Sequence, residues 1–281
     1  MRVGIVGLGL MGGSIAKALK SNYEIHALDR DQFALSFAKE KRIIDYGYTD
    51  ALQFFLNVDV VYLCLYPREL VTFLNQAVLW IQPKTILIEI SGVKLSLVAQ
   101  LEPLLKSTFE LVYSHPIAGR EKIGVASSNA SIFTNANYII TPLDRNTEQA
   151  LNLTERLAKE MGFSSISYLS PNKHDEIIAY TSQLTHVLSL ALVHSDQGTF
   201  ETRKFIGDSY RDLTRIAMIN APLWAELFME NRDELLKKIK QFKASLSAFE
   251  KSIETYDEEA LVILMNEAKT IRLELEKEGM K

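Results

Sequence analysis

The run His115-Pro116-Ile117-Ala118-Gly119 brings a histidine to the end of a predicted β-strand. Imidazole is the side chain best suited to moving a proton near neutral pH, so His115 is a candidate general base. We expect the strand to end at Pro116, which removes a ladder donor, and Gly119 to permit a sharp turn. A lone histidine in such a place is more often a structural residue than a catalytic one. Other residues must decide between these two interpretations.

A second motif lies near the N-terminus, where a G-x-G-x-x-G pattern occurs. It directly follows a predicted strand and precedes a predicted helix, which is the context of a dinucleotide-binding loop. The glycines permit a tight turn, the approach of a pyrophosphate and close packing of the helix on the strand, and the helix N-terminus attracts the phosphates. We therefore predict cofactor contacts from Gly7, Leu8, Gly9, Leu10, Met11 and Gly12.

Two charged residues after the second predicted strand bear on the choice of cofactor. Asp29 stands where this fingerprint has an acid that binds the adenine ribose. A carboxylate there accepts hydrogen bonds from both ribose hydroxyls and repels a 2′-phosphate, whereas the neighbouring Arg30 could pair with that phosphate. We predict that both residues contact the cofactor, and that the cofactor is NAD rather than NADP.

Further polar residues are predicted to meet His115 at one edge of a sheet. Ser91 follows one predicted strand and His115 the next, at the carboxyl edge where open α/β sheets bind ligands. In the second half of the chain, Arg211 and Arg215 lie four residues apart on a predicted helix, an arrangement that suits carboxylate binding. The alternatives are a plain strand-to-helix turn at Ser91 and a buried ion pair for the arginines.

The elements that must position these residues follow from the pattern of apolar residues. Short, largely apolar runs alternate with helical segments in the first half, as in a parallel sheet covered on both faces. From about residue 146 the pattern becomes mostly helical, apart from one further strand at 163–169. We predict an α/β protein with an N-terminal Rossmann-type doubly wound parallel sheet in residues 1–145 and an all-α C-terminal domain in residues 146–281. The other predicted strands are 2–6, 24–28, 59–65, 85–90, 110–114 and 137–141.

Composition excludes several classes of partner. The formal net charge is -4 and no basic stripe is evident, which argues against nucleic acid. The single cysteine cannot form an internal disulfide and has no metal-ligand spacing around it, so we expect a reducing cytoplasmic location and no metal. The N-terminal glycines fit a nucleotide loop better than a signal peptide, and no run reaches the roughly 20 apolar residues that cross a bilayer. No membrane association is expected.

Taken together, these motifs resemble the prephenate and arogenate dehydrogenase family of tyrosine biosynthesis. The resemblance covers nearly the whole chain, and its histidine and arginine motifs are more specific than the glycine loop. It rests on Gly7 to Gly12, Gly92-Val93-Lys94, His115 to Gly119 with Glu121 and Lys122, His174-Asp175, Leu184 with His186, Arg211-Asp212, and Thr214-Arg215-Ile216-Ala217.

The resemblance implies an NAD-dependent oxidative decarboxylation of prephenate to 4-hydroxyphenylpyruvate, with arogenate, which would give tyrosine, as the alternative substrate. His115 would take the proton of the ring hydroxyl as hydride leaves the same carbon. Arg215 would bind a substrate carboxylate, and His186 and Glu121 would line the substrate pocket. The helical domain would also pair two chains into a homodimer. Because no further regulatory module follows the helical domain, feedback through a separate domain is not expected.

Two departures from the family pattern produce further predictions. Gly92 stands where many members carry a serine that orients the histidine, so we assign that catalytic role to Ser91, one position earlier. Arg120 stands where small or polar residues are common, and a cation beside the substrate would favour prephenate over arogenate, whose ammonium it would repel. Two other functions remain open: another two-domain hydroxyacid or imine oxidoreductase, which should lack these motifs, and a non-catalytic NAD(P) sensor, which Gly92 favours.

Overall fold

The computed structural model describes residues 1–119, 122–196, 198 and 201–278. The chain divides into two compact units, Met1–Arg232 and Asp233–Lys281. The first unit contains the sheet and every described residue that we predicted to bind a ligand. The second unit consists of most of one long helix and all of another.

The described residues of the first unit form one eight-stranded sheet in the order β3-β2-β1-β4-β5-β6-β7-β8. All neighbouring strands are parallel except β6 and β7, which are antiparallel. The predicted fold class is confirmed, with this one antiparallel pair added. The strands are β1 (Arg2–Val6), β2 (Glu24–Leu28), β3 (Tyr46–Tyr48), β4 (Val60–Leu63), β5 (Ile86–Glu89), β6 (Glu110–Ile117), β7 (Asn137–Thr141) and β8 (Ser165–Tyr168).

Helices cover both faces of the sheet and continue into the C-terminal half. The first group is α1 (Leu10–Leu19), α2 (Gln32–Glu40), α3 (Ala51–Phe55), α4 (Pro67–Ala77), α5 (Leu95–Leu101) and α6 (Glu148–Met161). The second group is α7 (Pro171–Ile178), α8 (Leu184–His194), α9 (Asp208–Thr214), α10 (Ala221–Glu230), α11 (Arg232–Glu254) and α12 (Glu258–Glu278).

Alternation along the strands explains why both faces must be covered. In β4, Val60 and Tyr62 belong to one apolar cluster, and Val61 and Leu63 belong to another. All four are fully buried. Because successive side chains of a strand point to opposite faces, a strand that is apolar throughout must pack against helices on both sides.

The end of β6 differs from the prediction in a way that matters for the site. The strand does not stop before Pro116 but continues to Ile117, so His115 lies inside it. β6 pairs with β5 only as far as Tyr113, and beyond that residue only β7 flanks it. Proline is tolerated there because a strand with one open side does not need every backbone donor.

The predicted domain boundary at residue 145 falls before α6 and β8. Both elements lie in the sheet unit, since β8 pairs with β7 in parallel from Asn137↔Ser165 to Ile140↔Tyr168. The all-helical region therefore begins at α7. The preceding helix, α6, ends at Gly162, its C-cap, which has φ of +101°.

A single long helical segment, Pro171–His194, runs from α7 through a five-residue π-helical segment, Ala179–Gln183, into α8. By length and composition alone, with a window of mean hydropathy 1.2, this segment is long and apolar enough to cross a membrane, whereas no such segment was expected from the sequence. The same segment carries the buried polar residues His174, Asp175 and Gln183. These polar groups are hydrogen-bonded to other parts of the protein: His174 to His115, Asp175 to the backbone of Lys94, and Gln183 to the backbone of Leu227.

Candidate active site

The glycine loop joins β1 to α1, and its glycines have distinct surroundings. Gly7 has φ of +90°, and a Cβ atom there would lie 2.6 Å from the carbonyl oxygen of Cys64. A Cβ atom at Gly12 would lie 2.0 Å from the carbonyl oxygen of Gly7, whereas one at Gly9 would meet no described atom within 4 Å. The loop is therefore closed against the sheet at Gly7 and Gly12 and open at Gly9, as the approach of a pyrophosphate requires. These residues fit a dinucleotide.

Asp29 follows β2 and is hydrogen-bonded to the same loop. Its Oδ2 accepts a hydrogen bond from the backbone nitrogen of Leu8 at 2.6 Å, and its Oδ1 accepts one from that of Asp31 at 2.8 Å. Each carboxylate oxygen has a further lone pair, so Asp29 can still accept hydrogen bonds from ribose hydroxyls. The neighbouring Arg30 is exposed, and its Nη1 lies 3.2 Å from Oε1 of Glu69. This acid offsets the positive charge that would bind a 2′-phosphate.

Two alanine substitutions should separate folding from dinucleotide binding. Gly9→Ala is expected to change the free energy of unfolding by less than about 1 kcal/mol, because its methyl group meets open space. It should weaken dinucleotide binding at least about tenfold, because that space is the approach to the pyrophosphate. Gly12→Ala should destabilise the fold by about 1–3 kcal/mol, because its methyl group overlaps a backbone carbonyl. Urea denaturation and fluorescence titration with the dinucleotide measure both effects, and equal losses of stability would contradict this assignment.

His115 lies at the carboxyl edge of the sheet, next to the segment that follows β5. The register pairs Glu89 of β5 with Tyr113 of β6, so the residues just after β5 run level with His115. A Cβ atom at Gly92 would lie 3.6 Å from both Cε1 and Nε2 of His115. The Nε2 edge of the ring therefore borders Gly92. No hydrogen bond to this nitrogen comes from the described residues.

The other ring nitrogen of His115 begins a chain of hydrogen bonds into α7. Nδ1 of His115 lies 2.9 Å from Nε2 of His174, and Nδ1 of His174 lies 2.7 Å from Oδ1 of Asp175. His174 and Asp175 are both buried. The structure thus brings His115 together with the His174-Asp175 motif, although the two histidines are 59 residues apart in the chain.

Asp175 also connects α7 to the start of α5. Its Oδ1 accepts a hydrogen bond from the backbone nitrogen of Lys94 at 2.9 Å, and its Oδ2 accepts one from that of Leu95 at 2.8 Å. Helix N-termini leave such nitrogens without intrahelical partners, and a carboxylate is a favourable acceptor for them. Asp175 therefore caps α5 from another helix, and this fixes the segment that contains Gly92.

A buried ion pair lies beneath the same segment. Nζ of Lys94 is 2.8 Å from Oε2 of Glu89, and both side chains are fully buried. Nζ also donates to the backbone oxygen of Ser91 at 2.6 Å. Burial lowers the pKa of Lys94, and the neighbouring carboxylates of Glu89 and Asp175 oppose that shift. The desolvation cost of burying these two charges is thus offset by their close approach and by additional hydrogen bonds, as a buried ion pair requires.

Ser91 lies in this segment but does not contact His115 through its hydroxyl. Its backbone nitrogen donates to the Glu89 carboxylate, and its Oγ is buried without a hydrogen-bond partner among the described residues. Gly92 is adjacent to the imidazole. The catalytic role assigned to Ser91 has no hydrogen bond to support it and stays a prediction.

The surroundings of the two histidines favour their neutral forms. The pKa of His115 is lowered well below its ordinary value, first by burial and then by the charges of His174 and Lys94. Burial, assisted by Lys94, lowers the pKa of His174 to about 2. A neutral His115 is a proton acceptor at neutral pH, which is the state that a general base needs.

His186 lies on α8, stacked against an aromatic residue of α10. The centroids of its ring and the Trp224 ring are 3.6 Å apart, with an interplanar angle of 29°. Nδ1 of His186 lies 2.9 Å from the backbone oxygen of Ser182. Leu227, on the same helix as Trp224, would be 3.4 Å from a Cβ atom at Gly92. The α10 helix thus links the surroundings of His186 with those of His115.

A buried amide network holds α10 in this position. Nδ2 of Asn231 donates to the backbone oxygen of Asp175 and to Oε1 of Gln183, both at 2.9 Å. Nε2 of Gln183 donates to the backbone oxygen of Leu227 at 3.1 Å. Trp224, Leu227 and Asn231 were not predicted from the sequence to lie near the site. Only Trp224, one of two tryptophans in the chain, offered a signal in composition.

Of the other residues predicted to bind the substrate, the structure describes only Arg215. Arg215 begins a 3-10 turn, Arg215–Ala217, which packs against α8, and its side chain is exposed. Arg211 is instead paired with Asp208 at 3.0 Å on the surface. Arg120 and Glu121 lie outside the described residues. Within the described part of the chain, no cluster of three or more His, Cys, Asp or Glu side chains has the arrangement of a metal site.

The fold and the site define a dinucleotide-dependent oxidoreductase with a Rossmann-like sheet and a helical C-terminal region. Residues 15–167 match the family model described as "Prephenate dehydrogenase, nucleotide-binding domain", and residues 170–267 match "Prephenate dehydrogenase, dimerization domain". The chain belongs to the prephenate dehydrogenase family. The resemblance stated from the sequence is confirmed.

Individual relatives agree with this family. The chain is 27% identical to the prephenate dehydrogenase of Bacillus subtilis, over 95% of this chain and 74% of the relative. It is 28% identical to the cyclohexadienyl dehydrogenase of Zymomonas mobilis, over 97% and 95% of the two chains. The Aquifex aeolicus prephenate dehydrogenase, solved with hydroxyphenyl propionate and NAD+, is similar with a TM-score of 0.89 and 31% identity, covering 98% of each chain.

Proposed function

We propose that this chain oxidises prephenate with NAD, releasing carbon dioxide and forming 4-hydroxyphenylpyruvate, and that arogenate is the alternative substrate. The observation that carries the proposal is His115, a neutral imidazole at the carboxyl edge of the sheet whose Nδ1 is engaged by His174 and whose Nε2 borders Gly92. The name of the Bacillus subtilis relative and the ligands of the Aquifex aeolicus structure support the same reaction.

His115 acts in this reaction as the general base. A secondary alcohol gives up hydride more readily as its proton is removed, and a positioned base contributes about 10² to 10⁴ in rate. Nε2 of His115 accepts the proton of the ring hydroxyl while hydride leaves the same carbon. The ring then loses carbon dioxide and becomes aromatic, and the proton on Nε2 can return to the phenolate oxygen. The histidine is thereby restored without a net change in protons.

The glycine loop and Asp29 bind the cofactor. NAD, when bound, supplies the hydride acceptor. Gly7, Gly9 and Gly12 would hold its pyrophosphate at the N-terminus of α1, and Asp29 its adenine ribose. The pairing of Arg30 with Glu69 supports NAD over NADP. β1 and β6 are three strand spacings apart, about 14 Å at roughly 4.8 Å per spacing, so the cofactor must extend across the sheet edge to reach His115.

Binding of the substrate carboxylates requires cationic side chains from the helical region that follows the sheet. We assign one carboxylate to Arg215, because guanidinium groups form charge-assisted bidentate pairs with carboxylates. The 3-10 turn that begins with Arg215 packs against α8, the helix that carries His186. His186, Glu121 and Arg120 complete the proposed substrate pocket, and Ser91 stays a proposed catalytic residue.

Arg215→Ala is expected to raise the KM for prephenate by about tenfold to a hundredfold, with a smaller change in kcat. The expected size is that of a lost hydrogen bond to a charged group, about 1.5–3 kcal/mol. Arg211→Ala is the matched control, because Arg211 pairs with Asp208 on the surface. Steady-state kinetics with both variants measure the effect. An equal rise in KM for the two variants would count against the assignment of Arg215.

Assays with both substrates and both cofactors test the proposed function directly. The purified protein is incubated with prephenate or arogenate and with NAD or NADP, and the absorbance of reduced cofactor is followed. We expect the largest kcat/KM with prephenate and NAD. A clearly larger kcat/KM for arogenate would mean that arogenate, and not prephenate, is the substrate. Cofactor binding without reduction of either cofactor would instead indicate a non-catalytic sensor.

We also propose that two copies of the chain form a homodimer located in the cytoplasm. Residues 170–267 match a dimerization domain, which supports pairing through the helical region. The helix α12 carries exposed apolar side chains that such pairing would cover, among them Ile263, Ile271 and Leu275. The single cysteine is free, as expected in a reducing compartment.

A further inference from the structure

We propose that His174 and Asp175 are positioning residues that hold His115 in the tautomer with a proton on Nδ1 and a free lone pair on Nε2. This inference deepens the proposed function, because it rests on His115 being the base. It adds the group that decides which ring nitrogen of His115 can take a proton. Neither residue is assigned to contact the substrate.

The chain of hydrogen bonds begins at the carboxylate of Asp175. Oδ1 of Asp175 accepts hydrogen bonds from the backbone nitrogen of Lys94 and from the ring of His174, and Oδ2 accepts one from the backbone nitrogen of Leu95. Burial raises the pKa of Asp175, whereas the backbone donors of Leu95 and Lys94 and the charge of Lys94 lower it, and donors at both oxygens favour the ionised carboxylate. An ionised carboxylate can only accept, so the proton between Asp175 and His174 must lie on Nδ1 of His174.

The tautomer of His174 then determines that of His115. A neutral imidazole protonated on Nδ1 has a lone pair on Nε2, so Nε2 of His174 is an acceptor. It lies 2.9 Å from Nδ1 of His115, which must therefore donate. A neutral His115 that donates from Nδ1 has its lone pair on Nε2. This is the nitrogen that borders Gly92 and has no described hydrogen-bond partner.

The charged groups of the buried cluster bear on both protonation states of His115, and in the resting site burial and the charges of His174 and Lys94 lower its pKa and keep it neutral. Among the described residues, the charges of His174 and Lys94 act on His115, and Asp175 and Glu89 are the acids that pair with these two groups. With both acids ionised and Lys94 protonated, this cluster carries one net negative charge. When His115 takes a proton, the positive charge that develops is compensated through His174 by Asp175. No mobile counterion is needed in this low-dielectric region.

His174 is the better residue for a test, because Asp175 also caps α5 and its loss would disturb the fold. In His174→Gln, the amide nitrogen can donate to Asp175 and the amide oxygen then faces Nδ1 of His115. This variant should preserve the tautomer. His174→Leu removes both hydrogen bonds, so His115 should no longer be held in the tautomer with a proton on Nδ1. The pair of variants separates hydrogen bonding from occupancy of the site.

The tautomer can be read without any reaction, by NMR of protein labelled with ¹⁵N in its five histidines, with His115→Asn used to assign the signal. In the parent and in His174→Gln we expect His115 protonated on Nδ1, and in His174→Leu a mixture of tautomers. Kinetics should show a fall in kcat of about ten- to a hundredfold for His174→Leu, the range typical when an orienting partner is lost, with both KM values nearly unchanged. His174→Gln should retain most of the activity.

Several results would overturn the inference. Protonation of His115 on Nε2 in the parent protein would do so even if His174→Leu failed to fold. Retention of the Nδ1 tautomer, or of full kcat, in a folded His174→Leu variant would also contradict it. If the tautomers behave as expected but the parent protein reduces no cofactor, the proposed function fails while the positioning of His115 stands.

Discussion

Asparagine in place of His115 is expected to lower kcat for prephenate oxidation by at least about a hundredfold and by up to about 10⁴, the range for loss of a general base. The asparagine amide can still donate to Nε2 of His174, so the surrounding hydrogen bonds are largely kept. It cannot take a proton at neutral pH. Binding of prephenate and of NAD, measured by titration calorimetry, should stay within a few fold of the parent protein.

His194→Asn is the matched control, since His194 is exposed near the end of α8 and has no place in the proposed chemistry. Its kcat should equal that of the parent. Parent-like turnover by His115→Asn would disprove the proposed mechanism. A loss confined to KM would instead mean that His115 binds the substrate without acting as a base.

Removal of the buried cation is the second large effect. Lys94→Met is expected to reduce the free energy of unfolding by about 3–5 kcal/mol, because it leaves Glu89 buried without a countercharge. It also removes the donor to the backbone oxygen of Ser91. Adding Glu89→Leu should recover much of this loss, since an apolar pair avoids the cost of desolvating two charges. Urea denaturation of the single and double variants measures both changes.

Lys159→Met provides the control for this experiment. Lys159 pairs with Glu155 at 2.6 Å, a distance comparable to that of the buried pair, but its side chain is largely exposed. Surface pairs of this kind contribute about 0.2–1 kcal/mol. If Lys94→Met costs no more than Lys159→Met, the buried pair does not stabilise the segment beside His115.

The sequence was most informative where one physical requirement acts locally. β1, β2 and β7 have the predicted bounds, because strands buried on both faces leave a largely apolar run. The glycine loop was predicted equally well, because a Cβ atom at Gly7 or Gly12 would overlap a backbone carbonyl oxygen, so both positions require glycine. β3 was missed, because its three residues are largely exposed at the sheet edge and carry no apolar run.

The site was only partly predictable, because its contacts join distant parts of the chain. His115 and Arg215 were singled out by residue type and by resemblance. The pairing of His115 with His174 and the packing of Leu227 near Gly92 depend on how α7 and α10 meet the sheet, which no local pattern encodes. The extension of β6 through Pro116 was likewise decided by which neighbouring strand continued beside it.

The π-helical segment Ala179–Gln183 affects the angle between side chains that lie before it and after it on the same long helical segment. His174 and His186 are twelve residues apart, and in a regular α-helix they would point about 120° away from each other, at 100° per residue. The wider i to i+5 turn between them reduces that angle. Both rings can therefore serve the region next to α10. Deleting one residue from this segment would favour an unbroken α-helix in which the two histidines, then eleven residues apart, would point only about 20° away from each other at 100° per residue, so the π-helical segment accommodates one extra residue while keeping both rings on a similar face.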